Sequence, residues 1–322
     1  MRCAWLISPD AKLASLFNTV FNIDKGMTMK DLVNDASSLL GASAYTDGPK
    51  RRDFLKVAAG AGFAAAALPV AAQTMIQTDT DGLDAADSIL VINGQDVPVY
   101  RAQPRGKTGV PVVLVISEIF GVHEHIKDVA RRFAKQGYMA IAPDLFVRQG
   151  DPTKVANIAD LMKDIIARTP DAQVMSDLDT VVAWAKQRGG DTEKLGITGF
   201  CWGGRITWLY AAHNLNVKAG VAWYGRLVGE ATPNSPKHPI DVAQNLKVPV
   251  LGLYGGKDTG IPLESVERMR AALDKGNSRS SIHVYPNSGH AFHADYRPSF
   301  NAADAKDGWN RALAWFRQHG VA

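Results

Sequence analysis

The sequence predicts one α/β domain, in which a mostly parallel β-sheet is covered by helices on both faces. Three observations predict this fold class. From residue 88 onward, apolar runs of strand length alternate with segments of helical periodicity, the pattern of parallel strands joined by crossover helices. Asn93 and Gly94 lie between the first two runs, which indicates a hairpin. The 322-residue chain is 46% hydrophobic and 21% charged, a composition typical of a globular protein with a substantial core.

Eight segments are predicted to be β-strands because short apolar runs are bounded by turn-forming residues. They are Ser88–Ile92, Val97–Arg101, Val112–Ser117, Tyr138–Ala142, Lys194–Thr198, Val217–Trp223, Val250–Tyr254 and Ser281–Tyr285. Six segments with helical periodicity are predicted to be helices. They are Ile126–Gln136, Lys154–Ala167, Asp171–Arg188, Arg205–Ala212, Leu263–Lys275 and Ala302–His319. Gly229–Pro239, which is broken by three prolines, is predicted to be a surface loop and is a candidate lid.

Residues 1–72 are predicted to be an N-terminal extension that ends in an export signal. Residues 50–56 read KRRDFLK, a weakly apolar Ala/Gly-rich run follows, and Val70 and Ala72 are the small residues of a cleavage site. The arginine pair followed by Phe-Leu-Lys resembles the bacterial twin-arginine signal. The apolar run is too short and too weakly apolar for a membrane-spanning helix. We therefore expect export by the twin-arginine machinery, without stable membrane anchoring, and a periplasmic or secreted mature chain, residues 73–322.

Charge argues against a nucleic-acid-binding protein, and cysteine content argues against a protein stabilised by disulfides. The 36 basic and 32 acidic residues give a net charge of +4, and no long basic block occurs after residue 56. Without basic residues interleaved with aromatic ones, nucleic acid is not an expected partner. Cys3 lies in the N-terminal extension, so the mature chain keeps Cys201 alone and cannot form an internal disulfide.

The most specific local signal is the sequence GFCWGG at residues 199–204. It follows the predicted strand Lys194–Thr198 and precedes a helix, and it matches a Gly-x-nucleophile-x-Gly elbow with Cys in place of Ser. Such an elbow is a strained turn that projects Cys201 above the sheet edge. A Cβ at Gly199 or Gly203 is expected to strike the neighbouring strand or helix. The N-terminus of the helix favours the thiolate form of the cysteine.

Asp258 and His290 complete a candidate catalytic triad. The sequence GGKD follows the strand Val250–Tyr254, and the next strand, Ser281–Tyr285, is followed by PNSGH. A nucleophile, an acid and a histidine thus occur in that order, each just beyond the carboxyl end of a strand, where open α/β sheets bind ligands. In this chemistry His290 accepts the thiol proton and later protonates the leaving group, while Asp258 fixes the imidazole tautomer and stabilises its charged form.

Five motifs together resemble the dienelactone hydrolase family of the α/β-hydrolases over roughly residues 85–320. They are SEIFG at 117–121, APDLFVR at 142–148, the cysteine elbow, GKD at 256–258 and GHAF at 289–292. The resemblance implies an α/β-hydrolase fold and a triad of Cys201, Asp258 and His290. It also implies cleavage of a small-molecule ester or lactone through an acyl-thioester intermediate, with no metal and no cofactor.

The resemblance also implies roles for residues outside the triad. Glu118 corresponds to a carboxylate that contacts the resting thiol, and Arg148 corresponds to a guanidinium that holds the substrate carboxylate. An oxyanion hole requires donors placed where negative charge develops, and we expect the backbone N–H groups of Trp202 and Ile119 to supply them. After the histidine, better-known members carry Ser and then Arg. This chain has Ala291 and Ala294 at those positions, with an arginine slightly beyond, at 297. One carboxylate contact is therefore lost or relocated.

Two other interpretations stay open from the sequence. His123, Glu124 and His125, with His290 and His293, are residue types that ligate metals, although no third ligand lies at motif spacing. The second is a non-enzymatic exported binding protein or redox sensor with an exposed Cys201 thiol.

Overall fold

The computed structural model describes residues 75–322, so the predicted export signal and Cys3 lie outside the described residues. Within this range eight strands form one sheet. The strands are β1 (Leu83–Ile92), β2 (Gln95–Pro104), β3 (Val110–Ile116), β4 (Met139–Pro143), β5 (Gly190–Phe200), β6 (Val217–Trp223), β7 (Val250–Gly255) and β8 (Ser281–Tyr285). The α-helices are α1 (Glu124–Lys135), α2 (Ile158–Asp160), α3 (Asp171–Gln187), α4 (Trp202–His213), α5 (Pro239–Ala243), α6 (Leu263–Lys275) and α7 (Ala302–Gln318). All eight predicted strands are present.

The sheet has the strand order β1-β2-β4-β3-β5-β6-β7-β8. The β1–β2 hairpin turns at Asn93 and Gly94, whose φ angles of 52° and 78° are those that a tight hairpin turn requires. β2 pairs antiparallel with β4, and every later neighbour is parallel. The carboxyl ends of β3 to β8 therefore meet at one edge of the sheet, which is the edge predicted to carry the site.

The core lies on both faces of the central strands. Every residue of β4 is buried, and so are the five consecutive residues Val112–Ile116 of β3. Successive side chains of a strand point to opposite faces. Continuous burial therefore means that both faces of the sheet are covered, as in parallel sheets flanked by helices.

The prediction of one regular helix over Lys154–Ala167 is wrong. The structure divides this region into a 3₁₀ turn at Pro152–Lys154, the single turn α2, a π-helical turn at Leu161–Ile165 and a second 3₁₀ turn at Ile166–Arg168. The adjacent pairs Leu161–Met162 and Ile165–Ile166 are all buried in a satellite apolar cluster with Ile119, Phe120 and Phe146. In a uniform α-helix, successive side chains point about 100° apart around the helix axis, so one member of each pair would point away from the cluster. With the π turn, both members of each pair are buried in the cluster.

Two smaller differences concern helix starts. α4 begins at Trp202, directly after the cysteine, rather than at Arg205. The predicted loop 229–239 is mostly exposed, as expected, and leads into the short helix α5, which has Pro239 at its first position. No helix within residues 75–322 has the length and apolar character needed to cross a membrane.

The first described residues are bonded to the rest of the domain. The Ile76 N–H donates to the carboxylate of Asp295 at 3.3 Å, and the Thr78 N–H donates to Asp128 on α1 at 2.5 Å. Arg131, also on α1, donates back to the Thr78 carbonyl at 2.8 Å. This N-terminal strap, residues 76–78, is thus held by side chains from two separate parts of the fold.

Candidate active site

Cys201 lies on the predicted strained turn between β5 and α4. Its φ of 54° and ψ of −113° put a non-glycine residue in a region that L-amino acids rarely adopt. The backbone is held in place from both sides, because the Cys201 N–H donates to the Trp223 carbonyl at 3.0 Å and the Cys201 carbonyl accepts from the Arg205 N–H at 3.2 Å. The side chain is only partly buried. The turn therefore presents a fixed thiol at the carboxyl edge of the sheet.

Three glycines permit this turn by allowing close backbone approach. A Cβ at Gly199 would lie 2.2 Å from the Gly203 carbonyl oxygen, and one at Gly203 would lie 2.4 Å from the Ile116 carbonyl oxygen of β3. These clashes confirm the predicted need for glycine at both positions. Gly204 has the same restriction, which the motif did not indicate, because a Cβ there would lie 2.5 Å from the Trp223 carbonyl oxygen.

His290 and Asp258 form a buried hydrogen-bonded pair. Nδ1 of His290 lies 2.7 Å from Oδ2 of Asp258, and the side chains are 4% and 0% exposed. The other carboxylate oxygen accepts from the N–H groups of Gly260 and Ile261 at 2.9 and 3.1 Å. Asp258 is thus fixed by its own loop and holds the Nδ1–H tautomer of the imidazole. Nε2 has no hydrogen-bond partner among residues 75–322, which leaves it available for proton transfer.

The protonated form of His290 is stabilised by its surroundings. Burial alone would lower the pKa of His290, but the Asp258 carboxylate and the Cys201 thiol raise that pKa well above its ordinary value. The structure thus shows the His290–Asp258 pair, and the roles of Cys201, His290 and Asp258 as nucleophile, base and acid stay a prediction.

We expect the contribution of His290 to stability to fall as the pH rises. A group whose pKa is raised on folding contributes fully below its unfolded value, about 6.5 for histidine, and loses this contribution as the pH passes through the folded value. Urea unfolding of wild type and His290→Gln from about pH 6 to pH 10 should show a free-energy difference that shrinks with rising pH. For His283→Gln, at a histidine whose pKa burial lowers, no such loss should appear above neutral pH. A pH-independent difference for His290→Gln would contradict the raised pKa.

Glu118 lies in a buried polar cluster at the end of β3. The Tyr296 hydroxyl donates to its Oε2, and His123 Nε2 lies 3.6 Å from the same oxygen. Burial alone would raise the pKa of Glu118, but the neighbouring His123 side chain and the Arg297 charge hold that pKa well below its usual range. Glu118 is therefore ionised. A hydrogen bond to Cys201 is not among the contacts that Glu118 makes within residues 75–322.

Arg148 has hydrogen-bond partners outside the candidate triad. Its Nη1 forms an ion pair with the fully buried Asp177 of α3 at 2.5 Å, and its Nη2 donates to the Ile92 carbonyl at the end of β1 at 3.1 Å. These two partners occupy the guanidinium, and neither belongs to the candidate triad. The guanidinium that shares the Glu118 cluster belongs to Arg297, which is buried and lies 4.8 Å above the Phe120 ring.

Both predicted oxyanion donors have available N–H groups. Trp202 is the first residue of α4, so its N–H has no acceptor within the helix. Ile119 directly follows Glu118 in the loop after β3, and its N–H makes no backbone hydrogen bond within residues 75–322. β3 and β5 are neighbours in the sheet, so the two loops border the same space.

Three of the four histidines that suggested a metal site lie beside carboxylates. Nδ1 of His125 lies 3.1 Å from Asp295, His123 lies beside Glu118, and His290 is bonded to Asp258. Within residues 75–322, no three side chains of ligating type are grouped so that they could hold a metal ion.

Sequence reasoning missed two residues of the polar cluster, namely Tyr296 and His123 as a partner of Glu118, and it favoured a packing role for Tyr224. Tyr296 is 178 residues from Glu118 in the sequence, so no local pattern could have joined them. The available signal was position, because Tyr224 directly follows β6 and Tyr296 lies in the loop that carries His290.

Comparisons with known proteins identify the family of this chain. The sequence profile of the dienelactone hydrolase family matches residues 97–320. Two relatives carry the name "Putative carboxymethylenebutenolidase". The protein from Salmonella typhimurium is 57% identical over 80% of this chain and 96% of its own length, and that from Methylorubrum extorquens is 56% identical over 84% and 94%.

A solved structure also aligns with the chain. The crystal structure titled "Putative Dienelactone Hydrolase" from Klebsiella pneumoniae has 55% sequence identity and a TM-score of 0.72, and the alignment covers 73% of this chain and 99% of that one. The profile, the relatives and the eight-stranded sheet lead to one assignment. The chain belongs to the dienelactone hydrolase family, whose members are ester and lactone hydrolases with the α/β-hydrolase fold.

Proposed function

We propose that the mature protein, residues 73–322, cleaves a small-molecule ester or lactone with Cys201 as the nucleophile. The observation that carries the proposal is the buried His290–Asp258 pair, joined at 2.7 Å, at the sheet edge where the strained turn presents the thiol. Nucleophile, base and orienting acid in this arrangement are what nucleophilic acyl transfer requires. Family membership supports the reaction class.

The reaction has two steps in this proposal. In acylation, Sγ of Cys201 gives its proton to Nε2 of His290 and attacks the carbonyl carbon, and the carbonyl electron pair moves onto oxygen. The N–H groups of Trp202 and Ile119 stabilise that oxyanion. Its collapse breaks the C–O bond, and the leaving oxygen takes the proton from His290. In deacylation, water loses a proton to His290 and attacks the thioester, the C–S bond breaks, and the thiol regains its proton. Asp258 stabilises the imidazolium in both steps.

We further propose that the substrate carries a carboxylate and that Arg297 takes part in binding it. Nε of Arg297 donates to the Tyr296 hydroxyl at 3.3 Å, and that hydroxyl donates to Glu118. A guanidinium fork suits a carboxylate. The family resemblance nominates Arg148, but in this structure Arg148 neutralises Asp177. An arriving anion would compete with Glu118 for the positive charge, which makes the site sensitive to substrate charge.

Two substrates and two arginine variants test the function. Residues 73–322 should hydrolyse both a neutral aryl ester and the anionic dienelactone. Arg297→Lys keeps the charge but loses the fork, and we expect its KM to rise about tenfold for the lactone and little for the neutral ester. Arg148→Ala should affect both substrates alike. A rise in KM confined to the lactone in Arg148→Ala, with Arg297→Lys unchanged, would assign the carboxylate to Arg148 instead.

The location of the enzyme is also a proposal. The basic, apolar and small-residue order of residues 50–72 supports export by the twin-arginine machinery to the periplasm or beyond. That route carries folded chains. The absence of a second cysteine in residues 73–322 fits a protein that does not depend on disulfides formed after export.

A further inference from the structure

Tyr224 is held rigidly beside the triad. It follows the last residue of β6, Trp223, whose carbonyl accepts the Cys201 N–H, and the Tyr224 N–H donates to the Leu253 carbonyl of β7 at 2.8 Å. Its φ of 38° is unusual for a bulky residue. The next residue, Gly225, lies so close to α4 that a Cβ there would be 2.3 Å from the Gly204 carbonyl carbon. The backbone that orients Tyr224 is therefore fixed by two strands and a helix.

The ring of Tyr224 contacts the catalytic histidine. It meets the His290 ring edge-on with a centroid separation of 5.1 Å, and it meets the Phe292 ring at 5.4 Å. The side chain is 0% exposed. Packing of this kind fixes the direction in which the phenol hydroxyl points.

The hydroxyl of Tyr224 has no hydrogen-bond partner within residues 75–322, although it is fully buried. An unpaired buried hydroxyl costs about 1–3 kcal/mol of stability. The presence of a tyrosine hydroxyl at this position despite that cost indicates a functional role. Other buried phenols differ, because the hydroxyl of Tyr210 donates to Asp179 and that of Tyr254 accepts from Trp208. Within residues 75–322, the Tyr224 hydroxyl thus lacks the hydrogen-bond partner that each of these two phenols has.

The charges around Tyr224 are those of the candidate site. Burial raises the pKa of Tyr224 well above its ordinary value, and Glu118, Tyr296 and Cys201 raise it further, whereas Arg297 lowers it. Tyr224 therefore stays protonated and can donate but does not act as a base.

We propose that Tyr224 is a further catalytic residue, whose hydroxyl donates a hydrogen bond to an oxygen of the reacting ester or lactone group. The proposal rests on the proposed function, because it requires acyl transfer at Cys201. No proton leaves Tyr224 during the reaction, since His290 carries the transferred proton in both steps. The phenol adds a side-chain donor to the two backbone N–H groups and strengthens its bond as negative charge develops on the substrate oxygen.

Tyr224→Phe tests this role because it keeps the ring and removes only the hydroxyl. We expect kcat to fall about 100-fold, the size of effect seen when one preorganised donor is removed, with KM nearly unchanged. The melting temperature should stay the same or rise, because the lost hydroxyl has no partner in the resting enzyme. The pH dependence of kcat/KM should keep its shape, since Tyr224 does not titrate in the working range.

Matched variants separate failure of this proposal from failure of the proposed function. Tyr210→Phe removes a buried hydroxyl that has protein partners far from Cys201, and it should lower the melting temperature but not kcat. Wild-type kcat in Tyr224→Phe, with Cys201→Ala inactive, would overturn the role of Tyr224 and leave the hydrolase mechanism standing. A lowered melting temperature with an altered pH profile in Tyr224→Phe would also overturn it, because the residue would then act by positioning His290. Full turnover in Cys201→Ala would overturn the proposed function itself.

Discussion

Cys201→Ala is expected to abolish hydrolysis of both the neutral ester and the lactone while the protein stays folded. The substitution removes Sγ, and neither His290 nor Asp258 can form the acyl intermediate without it. We expect kcat/KM to fall at least about a thousandfold, as when members of other catalytic triads are removed. Initial rates for both substrates test the loss of hydrolysis. Circular dichroism and the melting temperature test whether the protein stays folded. The thiol is partly exposed, so its loss leaves no large cavity.

Chemical modification gives an independent control for the same prediction. Because Cys201 is the one cysteine of residues 73–322, alkylation should add one group per chain and remove activity in proportion. Substrate present during the reaction should slow both changes. Undiminished turnover in Cys201→Ala would refute the nucleophile. A wild-type protein that hydrolyses neither substrate but oxidises reversibly at Cys201 would favour the redox sensor instead.

Gly199→Ala is expected to destabilise the whole domain. The added Cβ would lie 2.2 Å from the Gly203 carbonyl oxygen and 2.9 Å from Oγ1 of Thr207. Both belong to the start of α4, so relief requires the helix to move off the sheet. We expect a loss of about 4 kcal/mol or more in the free energy of unfolding, which is at the upper end for single substitutions, measured by urea unfolding.

Gly289→Ala is the matched control for that clash. Gly289 also lies in a loop of the site, but a Cβ there would meet its nearest heavy atom, the Lys257 carbonyl oxygen, at 4.0 Å. Its unfolding free energy should stay within about 1 kcal/mol of wild type. Equal stabilities for the two variants would mean that the turn at Cys201 relaxes at little cost, contrary to the rigidity that we infer from its close contacts.

The sequence allowed the sheet to be predicted because its strands are apolar runs, and the central strands β3 and β4 are buried on both faces. The candidate triad could be proposed because its members follow the ends of strands in a recognisable order. The region 154–167 could not be predicted correctly, since its paired apolar residues depend on a cluster with Phe120 and Phe146 that only the folded chain creates. Arg148 illustrates the same limit: its motif suggests a ligand-binding charge, while its observed partner Asp177 lies on a different element.

The N-terminal strap has a consequence for how the precursor can be processed. Cleavage after Ala72 would leave a new terminus only a few residues ahead of Ile76, whose N–H is bonded to Asp295. A cut beyond Thr78 would instead remove the hydrogen bonds that the strap makes to α1 and to Asp295, the residue directly before Tyr296. The folded domain therefore sets a limit on maturation. Trimming beyond the strap would remove the bonds to Asp128 and Asp295, and we expect it to loosen the loop on which Tyr296 and Arg297 are carried.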